Sequence, residues 1–192
     1  MALNSTVRFL LGVLVGLLIL PAALYLYVAT GHAPVATADP SMPMEAFFAK
    51  MGRKSRILAE QPKRDLSTFS TGDLEAGASI YQNNCAFCHG LPNQPKPNAA
   101  KGMFPRAPQL LDKDDMVIDD PVGESFWKVQ NGIRLSGMPG FKDSLSETQI
   151  WQVSALLAKA EQLPAEVSAK LKSKDATDPP PSNLKSQIPN SK

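Results

Sequence analysis

The chain has 192 residues, enough for one folded domain with appendages but not for two separate cores. Twenty Lys and Arg against 18 Asp and Glu leave a formal net charge of only +2, too weak a surplus to point to nucleic acid. Its prolines crowd residues 34–43, 92–108 and 179–189, so those stretches read as loops and linkers.

Residues 9–29, FLLGVLVGLLILPAALYLYVA, carry no charge and match a hydrocarbon core of roughly 30 Å when helical. Arg8 on one flank, with Tyr25 and Tyr27 near the other, predicts a single-pass anchor over residues 1–30 with its N-terminus inside. Pro21 is expected to kink it. A cleaved signal peptide is the competing reading, because Ala36-Thr37-Ala38 has the small-residue pattern of a cleavage site. The apolar run is longer than a signal h-region of roughly 7–15 residues, and that site lies far from its end, so the anchor is preferred. Gly12 and Gly16 form a small-xxx-small pair, read here as ordinary lipid-facing glycines rather than a helix-packing face.

Residues 31–43 read as a tether able to reach roughly 45 Å when stretched. Residues 44–64, MEAFFAKMGRKSRILAEQPKR, predict a basic amphipathic helix carrying Lys50, Arg53, Lys54, Arg56, Lys63 and Arg64. Its apolar residues Phe47, Phe48, Met51 and Leu58 are expected to pack on the following domain or a partner, in preference to lying on lipid.

Both cysteines of the chain fall in CAFCH, residues 85–89. Cys85, Cys88 and His89 have the spacing of c-type haem attachment, in which two thiols bond covalently to the haem and the adjacent imidazole ligates its iron. A thioredoxin-like pair would need a βαβ setting, a structural zinc site would need four ligands, and a plain disulfide leaves His89 without a purpose. In bacteria this attachment takes place outside the cytoplasmic membrane, which places the domain in the periplasm beside the inner membrane.

The second axial ligand is sought among the methionines. Met138 lies in SGMPGF, where Gly137 and Pro139 form a stiff turn, and is the favoured candidate. Met103 in KGMFPR and an open sixth position remain as alternatives. Met42, Met44 and Met51 precede the domain, and Met116 sits in an acidic loop with Asp112, Asp114, Asp115, Asp119 and Asp120, read as capping and solvated charge rather than a calcium site.

Leu74, Gly77, Ala78 and Tyr81 make the i, i+3, i+4, i+7 stripe of a helix. Ser146 with Gln149 forms a capping box for a second helix, with Ile150, Val153 and Leu157 on one face up to Leu163-Pro164. Asp120-Pro121 predicts the start of a third, carrying Phe126, Trp127, Val129 and Ile133. No alternating strand pattern appears, so the domain is expected to be all-α. Beyond Leu171 the chain is polar and proline-rich and reads as disordered.

Residues 71–163 resemble the class I cytochrome c family, through CAFCH, NGIRLSGMPGF, APQLL, LEAGASIY and TQIWQVSALLA. The resemblance implies an all-α, cytochrome c-like haem domain with one covalent haem c, His89 and Met138 as iron ligands, and the Pro108 carbonyl accepting a hydrogen bond from His89. It also implies Leu110 against the haem, and a crossing of two helices near Gly77, Tyr81 and Trp151. Residues 164–192 fall outside it as a short helix and tail. The expected function is a membrane-anchored, non-enzymatic carrier of single electrons between redox partner proteins. The alternatives are a subunit of a larger membrane oxidoreductase and, with less in their favour, a gas sensor or a peroxidase, for which a spare distal histidine is missing.

Overall fold

Residues 4–112 and 117–173 are described by the computed structural model, so Lys113, Asp114, Asp115, Met116 and the expected disordered tail from residue 174 lie outside the described residues. Among those described, every regular element is helical. The chain divides between Phe48 and Ala49 into two units.

The first unit contains α1, Ser5–Ala29, which continues through Pro21 without interruption and is exposed along its whole length. At about 1.5 Å per residue it is long enough to cross a bilayer, and from Phe9 onward it is apolar on all sides, which suits a helix facing lipid. A signal sequence near the N-terminus satisfies the same criterion of length and composition.

In the second unit the central pairing is between α3, Thr71–Asn84, and α7, Glu147–Ala158. Both start with a capping box. Ser70 Oγ accepts from the Asp73 amide at 3.2 Å while Asp73 accepts from the Ser70 amide at 3.0 Å, and Ser146 with Gln149 repeats the arrangement at 3.3 and 2.8 Å. Each such cap contributes about 1 kcal/mol by satisfying amides that the first turn leaves open. Gln152 donates to Asp73 Oδ1 at 3.0 Å, and this bond, followed by those from Ser70, holds the Asp73 carboxyl below its ordinary value. The helices touch at Gly77, where a Cβ would collide with the Gln152 carbonyl and stand 3.2 Å from Leu156 Cβ.

Helix α6, Val122–Asn131, packs on α7 by stacking Phe126 on Trp151 with ring centroids 4.1 Å apart. The Arg64 guanidinium lies over Phe69 and Trp151, at 4.6 and 5.2 Å from their centroids, and closes that end of the core. The short helices α4, Ala86–His89, and α5, Asn98–Lys101, follow α3 and carry the attachment motif and the turn beneath it.

Three expectations change. The helix expected over residues 44–64 is α2, Glu45–Glu60, and its presumed packing residues Phe47, Phe48, Met51 and Leu58 are exposed, whereas Ile57 is the buried one. Pro121 rather than Asp120 is the cap of α6, and Ile133 lies beyond its end, because Gly132 at φ +69° turns the chain away. The core does not stop at Leu163. Helix α8, Ala165–Lys172, packs on α3 through fully buried Val167 and Leu171, with Gln82 donating to the Lys170 carbonyl at 2.7 Å and Lys170 donating to the Glu75 carbonyl at 3.1 Å.

Candidate functional site

A cavity of about 390 Å³ opens between the end of α3, α4, α6, α7 and the loops before and after α6. Its walls bring together all six residues singled out from the sequence: Cys85, Cys88, His89, Pro108, Leu110 and Met138. Val129, Val153 and Leu157 supply further apolar wall, so the space suits a largely apolar group of small-molecule size.

The attachment motif is placed by a break in the helix. The Cys85 amide still donates to Tyr81 at 2.8 Å, then a fresh turn runs from Ala86 to His89 and ends at Gly90 with φ +72°. The turn sets both sulfurs on the same cavity, one residue before the imidazole. Fully buried Tyr81 fixes it from below, its hydroxyl donating to the Gly90 carbonyl at 2.9 Å. Gly90 is required for its left-handed φ, and a Cβ there would also displace the end of the Gln109 side chain.

His89 Nδ1 lies 2.8 Å from the Pro108 carbonyl oxygen. A carbonyl only accepts, so Nδ1 carries the proton and Nε2 keeps a lone pair available to a metal. Burial lowers the His89 pKa, opposed by the bond to Pro108, which favours the neutral ring that metal ligation needs. The two cysteines are not joined to each other. Burial, with the neighbouring Cys88 adding to it, pushes the Cys85 thiol up to about 12, the reverse of the depressed value that a redox-active C-x-x-C pair uses.

The wall containing Met138 is folded back on the end of α6. Ile133 donates to the Met138 carbonyl at 3.1 Å, Met138 donates to Ser136 Oγ at 3.2 Å, and Phe141 donates to Val129 at 2.9 Å. Gly132 permits this approach, since a Cβ there would lie 2.9 Å from the Met138 carbonyl oxygen. Met103 reaches the same wall: a Cβ on Gly137 would stand only 3.0 Å from its Sδ. The cavity is thus lined by two thioethers, and the spacing of Met103 from the motif gave no sign that its loop returns to Gly137. Sequence reasoning also missed four cations in the walls, Lys50, Arg53, Arg106 and Lys128, because pairing with a cavity leaves no periodic signal.

Two thiols, an imidazole with its outer nitrogen proton fixed, two thioethers and apolar walls form a donor set that fits a covalently held haem. Comparison with known proteins agrees. A family model described as cytochrome C oxidase, cbb3-type, subunit III matches residues 72–157. Cytochrome c6 of Limnospira maxima is 39% identical over 85 residues, which cover 44% of this chain and 89% of that protein.

Proposed function

We propose that this chain, which belongs to the monohaem cytochrome c family, carries single electrons between redox partner proteins through one haem c bound to Cys85 and Cys88. When bound, the haem supplies an iron that alternates between ferrous and ferric states. His89 would hold the iron through its unprotonated Nε2, and the Pro108 carbonyl fixes both its tautomer and its ring orientation. Met138 would hold it through its thioether, from a turn held by Ser136, Ile133 and Gly132. Leu110, Val129, Val153 and Leu157 keep water from the ligands, and the packed turns on either side leave little room for rearrangement between oxidation states.

The observation that carries this reading is the shared cavity, with a metal-ready imidazole and Met138 among its walls. An iron held by both His89 and Met138 would have no position left for a small ligand and would serve electron transfer alone. The reduced full chain is therefore expected to show no rapid binding of carbon monoxide at neutral pH, followed by its visible spectrum. Rapid binding would instead mark a sensor or peroxidase.

The second reading is a haem-bearing subunit of a membrane oxidoreductase, and the match to a family model of an oxidase subunit favours it. Either role suits α1 as an uncleaved anchor in a bacterial inner membrane, with residues 31–43 as tether and the haem domain on the periplasmic side.

A further inference from the structure

We propose that Lys50 and Arg53 of α2 hold a propionate of the attached haem and thereby raise the midpoint potential of the site. The inference rests on the haem reading above and concerns a helix that precedes the matched region, residues 72–157.

Helix α2 is fixed against the second unit at its C-terminal end. Ile57 is 1% exposed, the Trp127 indole donates to Glu60 Oε2 at 2.9 Å, and the Pro62 carbonyl sits where any Cβ on Gly123 would be. Arg53 and Lys50 lie one and two turns before Ile57, at i−4 and i−7, so they share its inward face. Both also line the cavity while remaining exposed overall, which puts them at its mouth. Lys54, at i−3 from Ile57, borders this face but does not line the cavity, and Arg56 lies off the face and is already paired with Glu60 at 2.9 Å.

The charge around the cavity is one-sided. Lys50, Arg53, Arg106 and Lys128 line it, and among the described residues no carboxylate does. Lys128 is compensated by Asp120 at 3.1 Å and Glu124 at 2.6 Å. Lys50, Arg53 and Arg106 have no ion-pair partner among the described residues. Two adjacent uncompensated cations at the mouth of an apolar cavity call for an anion, and a haem offers carboxylates only in its propionates. A partly desolvated carboxylate needs such charge-assisted bonds, for which an Arg with a neighbouring Lys is well suited. Neutralising the propionate removes a negative charge that would otherwise favour the ferric state, so the pair raises the potential.

The test uses the full chain with haem attached and compares K50Q/R53Q with K54Q, R106Q and the charge-conserving K50R/R53K. The readouts are the midpoint potential and the propionate bending band in the resonance Raman spectrum. K50Q/R53Q is expected to lower the potential and shift the band with haem content and axial-ligand spectrum unchanged. K54Q should move neither, and K50R/R53K should restore both. An unmoved band in K50Q/R53Q, a fall of equal size in K54Q, or a band shift confined to R106Q would each overturn the proposal. A wild-type protein without attached haem would fail the haem reading itself, which separates the two failures.

Discussion

Replacing Met138 with Ala is expected to change the iron site strongly while leaving His89 and the covalent attachment in place. The midpoint potential should fall by a substantial part of the roughly 0.8 V range that axial ligands span, and the reduced protein should gain carbon monoxide binding. Met103→Ala is the informative contrast, because the Met103 thioether packs against Gly137 within the same wall. Its loss should leave the thioether-ligated spectrum in place. Spectroelectrochemistry on both variants decides the assignment. Should Met103→Ala produce the large fall and Met138→Ala only a small one, the ligand roles are exchanged. The expectation for Met138 rests on how its turn is built. The amide of Ile133 and the hydroxyl of Ser136 hold the backbone of Met138 itself, whereas the loop around Met103 carries no comparable bonds to its own residue among those described.

The second large effect is on stability, and it comes from one substitution made twice in one helix. Gly77→Ala is expected to cost about 2–3 kcal/mol, because the added methyl collides with the Gln152 carbonyl, a backbone atom that gives way only if α3 and α7 separate. Gly72→Ala is expected to stabilise by about 0.5–1 kcal/mol, since it lies in the exposed first turn of α3 with only Ser70 Oγ nearby at 3.7 Å, and alanine is the better helix former. Guanidinium unfolding of the two variants measures the difference. Equal effects would mean that the two helices do not meet at Gly77.

The parts of this fold that the sequence made legible are those where a local rule and burial agree. Leu74, Gly77, Ala78 and Tyr81 are all buried at the spacing that predicted them, and Ser146 with Gln149 forms the capping box expected from their types. The C-x-x-C-H residues are contiguous, so their meeting on one cavity needed no tertiary information. The proximity of Met103 to Gly137 was not legible, because it depends on the path of a proline-rich loop without periodicity. Helix α8 was undervalued for a different reason: Val167 and Leu171 are only two apolar anchors in a short, mostly polar segment, yet both are fully buried.

Helix α2 shows how a hydrophobic pattern can mislead. Phe47, Phe48, Met51 and Leu58 form its apolar stripe and are exposed, while the inward face carries Ile57 together with Lys50 and Arg53. A rule that sends cations to solvent and apolar residues inward selects the wrong side wherever the cations line a cavity. That inversion is what makes the basic residues of α2 informative about the site rather than about solubility.

The most direct test of the account is the intact mass of the full chain, prepared in a host competent for covalent haem attachment and extracted with acid acetone. The colour should stay with the polypeptide, and its mass should exceed that of the bare chain by one haem. Pigment released into the acetone, or a chain of unmodified mass, would contradict it.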